Sequence, residues 1–200
     1  MVGNNMGSLL ETMYDLLLKP QKAMPEIMQT KSLKQSLLVV LFCTMLTTWG
    51  GLTTGLFSGT SQIIIVFFDM IGSLFIWGAA AAIWHLFAEL TGGCGQIKQL
   101  LKLLGFIYFI DVLLMPIYLV AAVTSSAGIV VVATILVWIW KGVLSIFVLK
   151  AVYGMSSAKA VLVFFLPFLI FVGVFLCSML LAGSLMMTMF NELMVNPPQI

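Results

Sequence analysis

Ionisable side chains inside apolar runs are costly, so the few that occur here carry most of the chemical information. Asp111 lies nine residues beyond Lys102, and Lys141 nine residues before Lys150. On helices rising 1.5 Å per residue, both then stand ~14 Å from the end marked by Lys102 and Lys150. If the two helices are antiparallel neighbours, the groups match in depth, and the expectation is a buried ion pair. Such a pair either fixes helix registry or serves as a proton- or ion-linked site. Asp69 is a second intramembrane carboxylate, about 11 Å inside the far end of its helix by the same rise. It shares a face with Gly72, Ser73 and Ala80, small residues that suit a surface turned into a bundle. An aspartyl intramembrane protease is not expected. The Gly-x-Gly-Asp signature is absent, and Asp69 and Asp111 differ in depth.

A second constellation lies near the lysine-bearing end. His85 and Glu89 are four residues apart on one helical face, followed by Gly92-Gly93-Cys94-Gly95, Lys98 and Lys102. His85, Glu89 and Cys94 form too small a set for a metal site without further ligands. A hydrogen bond between His85 and Glu89, extended to Lys98 or Lys102, is the simpler arrangement. The glycine run lacks the Gly-Lys-Ser/Thr ending of a phosphate loop and reads as a tight reversal needing positive φ. Neither Gly-x-Ser-x-Gly nor His-Glu-x-x-His occurs, and Ser156 and Ser157 have no histidine near them in sequence. No enzymatic activity, catalytic residue, cofactor or metal is therefore expected.

The elements that must position these groups follow from composition and periodicity. Apolar residues make up 62% of the 200, charged residues only 8%. A soluble domain carries about a quarter charged residues, so this chain could not cover its surface in water. A net charge of +2 gives no basis for nucleic-acid binding. Cys43, Cys94 and Cys177 are odd in number and scattered, which provides no disulfide framework. Crossing about 30 Å of hydrocarbon takes roughly 20 apolar residues. Five runs qualify, at about 36–57, 62–90, 100–122, 128–150 and 160–189. Turn-forming stretches separate them, at Ser58-Gly59-Thr60-Ser61, Thr91–Gly95, Thr124-Ser125-Ser126 and Tyr153–Ser157.

All nine basic residues are lysines. With five alternating helices, Lys19, Lys22, Lys31, Lys34, Lys98, Lys102, Lys150 and Lys159 fall on one side. The positive-inside rule makes that side cytoplasmic and the C-terminus extracytoplasmic. Glu11, Asp15 and Lys19 interrupt the first thirty residues, so no signal peptide is expected. Ser8 and Glu11 have capping-box spacing. They predict a short amphipathic helix, with Leu9, Leu10, Met13, Leu16 and Leu17 on one face and Pro20 at its end. It would lie flat on the cytoplasmic leaflet or tuck against the ends of the bundle. Gly51 and Gly55 in the first span, and Gly78 and Ala82 in the second, predict close helix contacts within the chain or between copies. Pro116 and Pro167 predict kinks in the third and fifth spans. The Met-rich stretch Leu185–Phe190 reads as lipid-facing filler.

The segment Leu86-Phe87-Ala88-Glu89-Leu90-Thr91-Gly92-Gly93-Cys94-Gly95-Gln96-Ile97-Lys98-Gln99-Leu100-Leu101-Lys102-Leu103-Leu104-Gly105-Phe106-Ile107-Tyr108, with Pro116 beyond it, resembles the Yip1-domain family. In that family a helix ends in a Gly-Gly turn, and a basic amphipathic segment leads into a Tyr- and Pro-bearing third helix. Lys150–Ala160 resembles the family's cytoplasmic link into helix five. The resemblance covers roughly residues 10–190 and implies five helices and a cytoplasmic N-terminus. Eukaryotic members are associated with vesicle traffic and bind small prenylated GTPases. Their long N-terminal region and its Asp-Leu-Tyr-Gly-type motif are not found in the roughly 35 residues here, so the chain resembles the short prokaryotic members.

The expected fold is an all-α integral membrane protein, a five-transmembrane-helix bundle preceded by a short interfacial amphipathic helix. Residues 1–35 form the N-terminal segment, 36–190 the membrane domain and 191–200 an extracytoplasmic tail, in a bacterial inner membrane. The expected role is that of a membrane organiser or adaptor. Its contact surface would comprise His85, Glu89, Gly92, Gly93, Lys98 and Lys102. The expected partners are the bilayer and a membrane or cytoplasmic protein, with a homo-oligomer left open. The alternative is a small transporter or channel subunit using Asp111, Lys141 and Asp69. The two differ in a countable way: a pathway needs several polar groups aligned through the membrane, whereas a registry pair needs only two.

Overall fold

A computed structural model of the chain describes residues 3–54, 61–124 and 126–195. The first two helices, α1 (Gly3–Leu18) and α2 (Pro20–Thr30), are separated at Lys19. Pro20 does not merely end a helix. It occupies the first position of α2, where its fixed φ and missing N–H are tolerated. Nor does α1 open at Ser8; its helical turns begin at Gly3.

Of the two placements open to this segment, the structure has the tucked one. Met13, Leu16, Ala23, Met24 and Ile27 are buried in the main apolar core, and α2 packs against two later helices, α5 (Ile97–Ile107) and α7 (Ala127–Tyr153). A lysine helps to hold it there. Lys102 Nζ donates to the Met28 carbonyl at 3.1 Å, serving one of the carbonyls that the last turn of a helix leaves unpaired.

Five helical segments are long and apolar enough to cross a membrane: Leu33–Leu52, Gln62–Leu90, Ile97–Thr124, Ala127–Tyr153 and Ser157–Thr188. The first is α3, and it starts on a capping box. Gln35 N–H donates to Ser32 Oγ at 3.2 Å, while Ser32 N–H donates to Gln35 Oε1 at 2.8 Å. Two donors that the first turn would otherwise leave open are thus satisfied reciprocally. The second span is α4 (Gln62–Leu90).

The third span is broken internally into α5, a 3₁₀ segment Tyr108–Leu113, and α6 (Leu114–Thr124). Pro116 explains the break: it cannot donate to the Val112 carbonyl, and its ring crowds that carbonyl. The turn that loses this bond tightens to 3₁₀ geometry. Asp111 lies within it.

The described residues up to Phe164 form one compact unit and those from Phe165 another. In the first, α5 is central, with Leu100, Leu103, Leu104, Phe106 and Ile107 all buried. It meets α3 at Gly105, where any Cβ would collide with the Ser36 hydroxyl. Ser36 Oγ lies 2.8 Å from the Lys102 carbonyl and 3.3 Å from that of Leu101. Within the chain the expected close contacts through Gly51 and Gly78 do not form, since no described residue would lie within 4 Å of a Cβ at either. Gly55 lies outside the described residues. The second unit is the later part of α8 (Ser157–Val195), where Phe168, Phe171, Val174 and Leu180 are exposed, as suits a surface solvated by lipid.

Candidate functional site

Two places gather polar side chains, one within the spans and one at the lysine-bearing end. Within the spans, Lys141 on α7 and Asp111 on the 3₁₀ segment meet at 2.7 Å between Nζ and Oδ2. The ammonium also lies 4.4 Å from the centroid of the Tyr108 ring, a cation–π placement. Tyr108 O–H in turn donates to the Ser73 carbonyl on α4 at 3.3 Å. The pair therefore ties together the third and fourth spans and, through Tyr108, the second.

It is also one wall of something larger. A cleft of about 490 Å³ opens between α3, α4, the third span and α7, and both members of the pair line it. Asp69 lines it too, and accepts a hydrogen bond from the Thr48 hydroxyl of α3. The structure thus brings Asp69 into the same cleft as Asp111 and Lys141.

Reasoning from charged residues alone missed the hydroxyls of this cleft: Thr44, Thr47, Thr48, Tyr118 and Thr134. A signal existed for the first three. Thr44, Thr47 and Thr48 have i, i+3, i+4 spacing, which places them on one helical face.

At the lysine-bearing end, α4 finishes in a Schellman motif. Gly93 N–H donates to the Ala88 carbonyl at 2.8 Å and Gly92 N–H to that of Glu89 at 2.9 Å. Gly92 has φ +84°, the left-handed conformation this motif requires. The turn is pressed onto the end of α7. A Cβ at Gly95 would come within 2.6 Å of the Tyr153 ring, and one at Gly93 within 3.1 Å of Tyr153 Cβ. Gly154, with φ +62°, ends α7 in the same left-handed conformation.

His85 fastens the two turns. Its Nδ1 lies 2.6 Å from Tyr153 Oη and its Nε2 3.3 Å from Glu89 Oε1. A neutral ring protonated on Nε2 satisfies both contacts, donating to the carboxylate and accepting from the phenol. Tyr153 was not anticipated as the partner, because the contact joins residues far apart in sequence. Glu89 meets His85, not Lys98 or Lys102. Lys98 is exposed, whereas Lys102 is half-buried against α2. Cys94 is exposed. Among the described residues, no group of three or more His, Cys, Asp or Glu side chains converges as a metal site would require.

Apolar spanning helices with a polar interior and turn-fastened ends define an all-α, polytopic integral membrane protein. A family model, the Yip1 domain, matches residues 14–180. The chain belongs to the Yip1-domain family. No curated protein and no solved structure matches it.

Proposed function

We propose that this Yip1-domain protein works by interaction, as a membrane organiser or adaptor. In this reading its lysine-bearing end faces the cytoplasm from a bacterial inner membrane. The observation that supports it is the packing of the Gly93 turn against Tyr153 and Met155. Two links far apart in sequence become one surface before any partner arrives. A surface already ordered loses less conformational entropy on association. Between the turns lies a polar crevice of about 220 Å³ lined by Lys159, and Glu89 and Lys98, on the segments flanking the Gly92 turn, are exposed. Charges of both signs on a fixed frame suit a protein partner, which they orient more than they tighten. Cross-linking in native membranes followed by mild purification tests the reading. A partner recovered reproducibly, and lost on Glu89→Ala with Lys98→Ala, supports it; recovery of this chain alone overturns it.

A second reading, a small transporter or channel subunit, is favoured by one specific observation. The cleft that holds Asp111 and Lys141 contains many more polar groups than helix registry needs. Solute flux into proteoliposomes tests that reading, with Asp69→Asn and Lys141→Met as the comparison proteins.

A further inference from the structure

Beside the polar cleft the spans hold a second one, of about 320 Å³, between α4, the third span, α7 and the beginning of α8. Its walls are mostly aromatic: Trp77, Trp84, Tyr108, Trp138 and Phe164 all line it. Trp84 and Phe164 stack with their ring centroids 5.2 Å apart.

The hydrogen-bond donors along this cleft are largely spent inside the protein. Trp77 N–H donates to the Leu101 carbonyl at 3.1 Å, and Trp84 N–H to the Phe164 carbonyl at 3.4 Å. Ser145 O–H donates to the Lys141 carbonyl at 2.8 Å. Tyr108 is bonded to Ser73, and Lys141 is held by Asp111. A polar ligand would find few partners here, whereas a hydrocarbon needs none. The lining residues Ile76 and Trp138 are exposed, so the cleft opens at a depth where lipid chains are the solvent. A gap left empty there would forfeit dispersion contacts with its walls.

The same three helices, α4, α7 and α8, also frame the polar crevice at the lysine-bearing end. Thr91 caps α4, Tyr153 and Gly154 finish α7, and Lys159 lies in the first turn of α8. Trp84 and Thr91 are seven residues apart, so they share nearly one face of α4 and stand about 10 Å apart along it. A bilayer passes from headgroup to hydrocarbon within about 5–8 Å on each side. The two cavities straddle that boundary, polar above and apolar below. Lys159 is exposed, no carboxylate is among the residues lining the crevice, and neither ion pair found among the described residues involves it.

We propose that α4, α7 and the beginning of α8 bind one anionic phospholipid, with its headgroup phosphate at Lys159 and an acyl chain in the aromatic cleft. The lysine supplies the charge complement at the interface, and the tryptophan and phenylalanine rings supply contact area for the chain. The site needs neither an adaptor partner nor a transported solute, so it stands apart from both functional readings.

The experiment titrates the purified full chain in detergent with phosphatidylglycerol or phosphatidylcholine, each brominated on its acyl chains to quench tryptophan fluorescence. The parent protein carries Trp49→Phe and Trp140→Phe, so that its three remaining tryptophans, Trp77, Trp84 and Trp138, all line the cleft. The expected result is quenching that saturates at low lipid mole fraction, with phosphatidylglycerol bound about fivefold more tightly, the preference one lysine confers at an anionic surface. Lys159→Gln should abolish that preference while leaving the quenching. Ala80→Phe, which fills the cleft, should abolish saturable quenching by both lipids. Because Lys159 is exposed, its variant carries the test even where Ala80→Phe fails to fold. Quenching that rises without saturating, equal binding of the two lipids by the parent protein, or a preference unchanged by Lys159→Gln overturns the proposal. So does saturable quenching retained by folded Ala80→Phe.

Discussion

Ser36 and Gly105 are in direct contact, and the Ser36 hydroxyl fills the space a side chain at position 105 would need. The contact seats α3 on α5, whose Leu103 and Phe106 are fully buried. Packing of small residues, not hydrophobic exclusion of water, is what brings helices together in lipid. Gly105→Leu is therefore expected to destabilise the protein by about 1–3 kcal/mol through overpacking. Gly51→Leu, facing open space, should change stability by less than about 0.5 kcal/mol, as substitutions away from packed features do. Thermal unfolding of the two variants in the same detergent checks the difference; equal losses would show that the contact is not the seat.

Asp111 and Lys141 should be coupled. Losing either partner leaves the other charge inside the span, at a cost on the order of 2–3 kcal/mol. That is below the cost at a fully enclosed pair, because 26% of the lysine side chain is exposed. Asp111→Asn combined with Lys141→Met should cost clearly less than the sum of the singles. A double-mutant cycle measures the coupling, and strictly additive losses would argue that the contact contributes nothing.

How much of this was readable in advance depends on the range of the interaction. Rise per residue alone puts Asp111 opposite Lys141, because helix depth is a local quantity. The lysine pattern and the five apolar runs are local as well, as is the Gly92 turn. The contacts of Gly105 with Ser36 and of His85 with Tyr153 are not. A lone glycine or a lone tyrosine does not say which helix it will meet, and the small residue Gly51 packs against no other described helix of its own chain. The split of the third span was half legible: Pro116 announced a disturbance, but not that it would place Asp111 in a 3₁₀ turn. The Thr44, Thr47 and Thr48 face had the right spacing and was overlooked, because hydroxyls are common in spans and bond to their own backbone.

The fastening of the two turns should be measurable. Tyr153→Phe removes the phenol that His85 meets and should cost about 1 kcal/mol, the net worth of one hydrogen bond. Gly92→Ala forces a side chain into the left-handed region and should cost about 1–2 kcal/mol. Hydrogen exchange across residues 91–96 should rise in both variants. Unchanged exchange would mean that the turns hold without this network.

Orientation can be read from cysteine chemistry. Cys94 is exposed beside the Gly92 turn and Cys43 is buried. With Cys43 and Cys177 replaced by serine, a membrane-impermeant maleimide should label Cys94 in inside-out vesicles but not in intact cells. Labelling in intact cells would reverse the orientation proposed here.

The central claim, that the fastened turns form a partner surface, is tested most directly by photo-crosslinking in living cells. A photoreactive residue is placed at Glu89, at Lys98, and at Phe75 in the second span as a control, where the side chain is exposed. The account predicts discrete adducts of one heavier mass from Glu89 and Lys98, absent from Phe75, and lost when Gly95→Val drives the turn off Tyr153. No adduct from either turn position, or the same adducts with and without Gly95→Val, would contradict it.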